Sequence, residues 1–222
     1  MPVALYVCKF CILVGGTTGE NMSLAVSDRK KLVDEWVKVA KTTGLHIQVQ
    51  VGGAPLADVL DLYLQFFTVN MPAFVTEATK SIPNFKGLKF TSNDLSEGAQ
   101  VYRALKEDQE MFLGADTLLA PAALLGIKSS IGTTFNLFPR LAQEILDAVE
   151  KNDIAKARAL QEKLSLAIEA HTVEGPWVPI MKAGMEIVSG IKVGPPSLPQ
   201  RAISAEAKQR IQTKLRSLGL SK

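Results

Sequence analysis

A lysine between two large apolar residues is the feature of this sequence with the clearest chemical potential. Lys89 stands between Leu88 and Phe90, inside a run at 85–91 that has the pattern of a buried strand. Because side chains alternate along a strand, Lys89 faces away from both neighbours. In an enclosed interior the amine would lose hydration and its pKa would fall, so that it could attack a carbonyl and form a Schiff base. The alternative is a lysine that reaches solvent from an ordinary edge strand.

A glycine-punctuated turn supplies groups that could bind an anion. Residues 15–20 read Gly-Gly-Thr-Thr-Gly-Glu and directly follow the apolar residues 11–14. The hydroxyls and backbone N–H groups of Thr17 and Thr18 could bind a carboxylate, as glycine-rich turns bind other anions. The alternative is a tight turn whose threonines only cap the following chain.

Strand-like and helix-like segments alternate along most of the chain, which predicts a parallel sheet with helices outside it. In barrels and in doubly wound sheets, the loops at the carboxyl ends of the strands carry the chemistry. Polar residues follow the predicted strands at Thr17 and Thr18, Thr91, Asp116, and Thr133 and Thr134. The predicted strands are 11–14, 47–51, 85–90, 111–113 and 127–135. One helix is predicted from Ser27 to Gly44, and the others at 97–106, 118–125, 140–150, 154–170 and 205–218.

Composition indicates an ordinary soluble domain. The 222 residues are 47% hydrophobic and carry a formal net charge of +3, which is too small to indicate nucleic-acid binding. No apolar run is long enough to span a membrane, and residues 2–14 lack the basic start of a signal peptide, so we expect a cytoplasmic protein. Cys8 and Cys11 form a single C-x-x-C pair, and His46 and His171 have no ligand spacing, so no metal site is predicted.

Four segments, in this order, resemble the N-acetylneuraminate lyase family of pyruvate-dependent class I aldolases, which also include dihydrodipicolinate synthase. Residues 16–20 resemble the loop that holds the carboxylate of the pyruvate unit, and 82–90 resemble the strand that presents the Schiff-base lysine. Residues 132–136, G-T-T-F-N, are similar to G-S-T-Y-N of the sialate branch, and 188–191 with 194–196 match its C-terminal part. The resemblance implies a (β/α)8 TIM barrel with C-terminal helices, in a family that forms tetramers.

The resemblance also implies a reaction and its residues. Sialic acid (N-acetylneuraminate) would be cleaved reversibly to N-acetylmannosamine and pyruvate, with no cofactor, after Lys89 attacks the C2 ketone to give an iminium. Asp116 could also be the N-cap of the helix 118–125, a role that can coexist with a substrate contact. Thr117 stands where the lyase usually has glutamate, which removes an acceptor for substrate hydroxyls. The positions that match substrate contacts in the family are Thr17, Thr18, Thr91, Gly114, Asp116, Thr117, Gly132 and Thr133.

The sequence departs from the family in being too short for a complete barrel. About five of the eight strands are identifiable in a single domain spanning 1–222, and an internal deletion is expected between about 53 and 72. The missing part includes the family's Y-Y-x-x-P strand, whose tyrosine shuttles a proton. Tyr6, Tyr63 and Tyr102 lie outside such a motif, so no proton donor is assigned. An open barrel would also leave Lys89 hydrated.

Three functions therefore stay open. The first is a lyase of sialic acid, impaired by the missing strand. The second is a non-catalytic barrel remnant that associates with full-length subunits. The third is another pyruvate aldolase of the dihydrodipicolinate synthase type.

Overall fold

The described strands lie in two three-stranded sheets. A computed structural model describes residues 3–5, 11–49 and 70–221. Within these ranges the strands are β1 (Val3–Leu5), β2 (Cys11–Val14), β3 (His46–Val49), β4 (Gly87–Phe90), β5 (Glu110–Leu113) and β6 (Ser129–Ser130). In the first sheet β2 is antiparallel to β1 and parallel to β3, and in the second β5 lies between β4 and β6, all parallel.

Helices alternate with the strands and then continue alone to the C-terminus. Those of the described residues are α1 (Val26–Thr43), α2 (Met71–Ser81), α3 (Leu95–Ala104), α4 (Leu119–Leu124), α5 (Pro139–Glu150), α6 (Ile154–Thr172), α7 (Trp177–Ser189) and α8 (Ala205–Ser217). Short 3₁₀ turns cover Thr17–Gly19, Asn21–Ser23, Asp116–Leu118 and Thr133–Asn136.

The predicted strands are confirmed with small shifts, except the last. Strand β2 has the predicted bounds, and β4 and β5 begin at Gly87 and Glu110. Strand β3 is described from His46 to Val49, and the predicted residues 50–51 lie outside the described residues. The strand predicted at 127–135 is wrong, since only Ser129–Ser130 pair and Thr133–Asn136 is a 3₁₀ turn. The N–H of Ile131 still donates to the Leu113 carbonyl, at 2.7 Å, and farther along the N–H of Thr134 donates to the Asp116 carboxylate instead of to a strand.

The predicted helices are confirmed to within a few residues, but two more are present. Helix α1 ends at Gly44 as predicted, in the left-handed conformation, whereas Ser27 is not its cap because Ala25 takes that position. Helices α2 and α7 were not predicted. Helix α7 carries Pro179 in its first turn and Gly184 in its interior, and both residue types have low helix propensity.

Two apolar clusters hold these elements. One lies between the second sheet and α2 to α4, and includes Phe90, Val101 and Met111. The other joins α4 to α8 and includes Phe135, Ile145 and Ile180. Gly87 begins β4 at a φ of 133°, and a Cβ there would lie 1.8 Å from the carbonyl oxygen of Glu110. Only glycine therefore allows β4 to approach β5 so closely.

Candidate active site

The residues predicted to bind substrate lie beyond the carboxyl ends of parallel strands. Thr17 and Thr18 form the 3₁₀ turn after β2, and Thr91 directly follows β4. Gly114 and Asp116 come after β5, and Gly132 and Thr133 come after β6. In parallel sheets these loops lie at one edge, which is where such folds build their sites.

Lys89 is exposed, in contrast to the enclosed amine that its apolar neighbours suggested. Its strand β4 pairs with β5 on one side, and no other described strand pairs with it. The exposure agrees with the expectation for an open barrel. A Cβ at Gly114 would lie 2.9 Å from Lys89 Cε and 2.1 Å from Thr91 Oγ1, so all three residues form one small cluster.

Asp116 is the buried acid of the site. Its carboxylate accepts hydrogen bonds from the backbone N–H of Thr134, at 2.8 Å, and from the Thr134 hydroxyl. Burial raises the pKa of Asp116 above its ordinary value, and the Thr134 hydrogen bonds and the charge of Lys89 only partly oppose this. Asp116 is not a helix N-cap, because its side chain caps neither the 3₁₀ turn that it begins nor α4.

Hydroxyl groups link the two sheets. Thr18 Oγ1 and Thr133 Oγ1 are 2.9 Å apart, which joins the turn after β2 to the turn after β6. The indole N–H of Trp177, at the start of α7, donates to Thr133 Oγ1 over 3.3 Å. The predicted carboxylate-binding turn and the predicted sugar-binding turn are therefore in direct contact.

The other residues predicted to contact substrate differ in how much space and exposure they have. Gly132 leaves no room for a side chain, since a Cβ would lie 2.3 Å from Asp116 Oδ1. Thr17, Thr91 and Thr117 are exposed. Tyr102, the one tyrosine within the described ranges, lies on α3 and packs against the apolar cluster of the second sheet.

Four residues that hold the site were not identified from the sequence. Trp177 contacts Thr133, as described above. Gln161 of α6 is buried, accepts a hydrogen bond from the N–H of Ala120 at 2.8 Å and donates to the carbonyl of Asp116 at 3.2 Å. Glu20 and Lys182 form a buried ion pair behind the Thr17–Gly19 turn. All four act across long sequence separations, so no local pattern marks them.

The described residues give no indication of a metal centre or a membrane span. No three of their histidine, cysteine, aspartate and glutamate side chains converge as metal ligands would. Every helix in the described ranges is too short or too polar to cross a bilayer.

Comparison with known proteins agrees with this geometry. The N-acetylneuraminate lyases of Rattus norvegicus and Gallus gallus are 27% and 29% identical over 93% of this chain, and the aligned part covers 81% and 84% of their lengths. The N-acetylneuraminate lyase (sialic acid aldolase) of Aliivibrio salmonicida superposes with a TM-score of 0.82 at 27% identity, over 95% of this chain and 85% of that one. The fold is thus that of the aldolase barrels, in an incomplete form.

A family match covers most of the sequence and includes Lys89, Asp116 and Thr133. The alignment with the rat lyase runs over 258 positions, more than the 222 residues of this chain, so the relative has additional residues inside the aligned stretch. Residues 67–218 match the dihydrodipicolinate synthetase family. The chain therefore belongs to the dihydrodipicolinate synthetase family of aldolases.

Proposed function

We propose that this chain forms a Schiff base between Lys89 and the C2 ketone of N-acetylneuraminate, and cleaves it to N-acetylmannosamine and pyruvate. The observation that carries the proposal is the contact of Thr18 with Thr133, next to the strand ends that hold Lys89, Gly114 and Asp116. Similarity to N-acetylneuraminate lyases supports this choice of substrate.

The chemistry follows from the iminium. The Lys89 amine adds to C2 and water leaves, which gives a positively charged carbon–nitrogen double bond. The C3–C4 bond then breaks, its electron pair moves into the iminium to give an enamine, and the C4 hydroxyl loses its proton as it becomes the aldehyde. Protonation of the enamine at C3 and hydrolysis release pyruvate and restore the amine.

Substrate orientation is assigned to the turns. The hydroxyls and N–H groups of Thr17 and Thr18 would bind the substrate carboxylate, because such turns offer several donors to an anion. Thr91, Gly114, Asp116, Thr117, Gly132 and Thr133 would line the sugar side. By the same resemblance, residues 1–222 form one aldolase domain that has lost an internal segment between about 53 and 72. We expect this domain to be cytoplasmic and to assemble into a tetramer.

Turnover is expected to be slow. A positioned acid or base contributes about 10²–10⁴ in rate, and Tyr102 packs in the core instead of in the site. The exposure of Lys89 also admits water to an iminium formed there. These two observations favour a second candidate, a subunit that binds keto acids without turnover and associates with full-length relatives.

Borohydride reduction in the presence of pyruvate tests the Schiff base. We expect a stable adduct that peptide mass spectrometry places on Lys89, and no adduct at that peptide in Lys89→Arg. Lys86→Arg is the matched control, because Lys86 lies three residues away, is exposed and pairs with Asp108 at 2.5 Å. A wild-type protein without an adduct at Lys89 would refute the mechanism.

Product assays then separate the candidate activities. Pyruvate release from N-acetylneuraminate supports the lyase, whereas condensation of pyruvate with an aspartate-derived aldehyde supports the dihydrodipicolinate synthase type. Adduct formation without either reaction supports the non-catalytic subunit.

A further inference from the structure

A buried carboxylate lies directly behind the predicted carboxylate-binding turn. Glu20 follows Gly19 and has a φ of 52°, a left-handed conformation that is uncommon for a residue with a side chain. Its side chain is only 4% exposed. Glu20 faces away from solvent and is not among the groups assigned to substrate, so it needs another explanation.

Both oxygens of the Glu20 carboxylate have partners from distant parts of the chain. Oε2 lies 2.7 Å from the Lys182 ammonium of α7, and Oε1 accepts the backbone N–H of Ser197 at 2.6 Å. Lys182 also donates to the carbonyl of Pro195 at 2.9 Å. Burial alone would raise the pKa of Glu20, but the Lys182 and Ser197 hydrogen bonds outweigh it and the pKa lies below its ordinary value.

A buried ion pair of this kind is weak evidence for stability, because desolvation of two charges opposes their attraction. It does define geometry, since both charges must stay paired. Here it joins three segments: the turn that ends at Glu20, helix α7, and the loop at 194–199. Helix α7 thus holds the turn twice, through Lys182 in its middle and through the Trp177–Thr133–Thr18 hydrogen bonds at its start.

We propose that Glu20 and Lys182 are positioning residues that hold Thr17 and Thr18 in the geometry required to bind the substrate carboxylate. This inference rests on the proposed function, which assigns carboxylate binding to that turn. It adds that the affinity for the carboxylate depends on an ion pair that touches no substrate. An ion pair with a purely structural role would affect the stability of the fold, but it would not weaken the binding of a carboxylate compound more than that of a compound without a carboxylate.

Two carbonyl compounds distinguish the roles. Pyruvate carries a carboxylate and acetaldehyde does not, yet both can form a borohydride-reducible Schiff base with a lysine. We expect Glu20→Gln and Lys182→Met to raise the half-saturating pyruvate concentration for trapping at Lys89 by about 10- to 100-fold, since a displacement near 1 Å can have an effect of that size. Trapping of acetaldehyde should stay at the wild-type level.

Matched variants complete the design. Lys208→Met breaks the 2.6 Å Lys208–Glu186 pair between α7 and α8 and should leave the half-saturating pyruvate concentration unchanged. Lys182→Arg keeps the positive charge and should restore most of the pyruvate affinity. A wild-type half-saturation value in Lys182→Met, or a parallel loss of pyruvate and acetaldehyde trapping, would overturn the inference.

Amide hydrogen exchange provides a readout that does not depend on the reaction. The N–H groups of Glu20, Ser23 and Leu24 donate to carbonyls within the turn region, at 3.0, 2.8 and 3.2 Å. They should exchange faster in Lys182→Met than in wild type or Lys208→Met, with no change in α3. If these amides exchange in Lys182→Met as they do in wild type, the positioning role is wrong even if pyruvate is bound. If the wild-type protein does not trap pyruvate, the proposed function alone is wrong.

Discussion

Gly114 provides a direct test of the cluster around Lys89, the proposed Schiff-base lysine. Its N–H donates to the carbonyl of Phe90 at 2.8 Å, which keeps the end of β5 against β4. A Cβ at this position would lie 2.1 Å from Thr91 Oγ1 and 2.9 Å from Lys89 Cε. The backbone of Gly114 is not in the left-handed region, so Gly114→Ala introduces a steric change without backbone strain.

The size of the effect follows from these distances. Ordinary contacts are about 3.5–4 Å, so Thr91 Oγ1 must move by about 1.4–1.9 Å and Lys89 Cε by about 0.6–1.1 Å. Both side chains are exposed and can move toward solvent, so we expect the free energy of unfolding to change by less than about 1 kcal/mol. The amine, however, would leave its position for attack, and a 1 Å displacement can slow a reaction by about 10²-fold.

The assay is the rate of borohydride-trapped adduct at Lys89 with saturating pyruvate, measured together with urea unfolding. Gly98→Ala is the matched control, because a Cβ there would meet the ring of Phe90 at 3.1 Å, on the residue next to Lys89. We expect Gly98→Ala to trap at the wild-type rate. If Gly114→Ala also traps at the wild-type rate, or if both variants are slowed equally, the geometric argument is wrong.

Two further predictions concern buried polar groups of the C-terminal half. Gln161→Leu leaves the buried N–H of Ala120 without its partner, so we expect urea unfolding to report a free energy of unfolding lower by about 1–3 kcal/mol. Glu162→Leu, on the exposed side of α6, should change the free energy of unfolding little. Equal effects of the two substitutions would contradict this account. Burial lowers the pKa of His171, despite the opposing hydrogen bond to the Ala167 carbonyl. The unfolded state therefore binds this proton more readily, and the free energy of unfolding should fall as the pH drops from about 7.5 to 5.5, by at most about 1.4 kcal/mol per pH unit from this group. His171→Gln should reduce that pH dependence, and a variant at 171 with the full wild-type dependence would refute the assignment.

Local sequence was sufficient to predict the elements that present the reactive groups. Short apolar runs near glycines predicted β2, β4 and β5, and the alternation of apolar residues with glutamines at 47–51 predicted β3. The order of the motifs around Thr17, Lys89 and Thr133 indicated the family, which residues 67–218 confirm. By contrast, the pattern at 127–135 predicted a long strand, but only Ser129–Ser130 pair and the N–H of Thr134 donates to the Asp116 carboxylate instead of to a strand.

The tertiary structure alone decided how the site is held and how far it is open. Glu20 and Ser197 are 177 residues apart in sequence, and Thr18 and Thr133 are 115 apart, so only the folded chain brings these partners together. The sequence placed Lys89 correctly on a strand, but its hydration depends on what covers the other edge of β4. Residue type and spacing determine local conformation and possible chemistry, whereas burial and ion pairing depend on contacts between segments that no local pattern encodes.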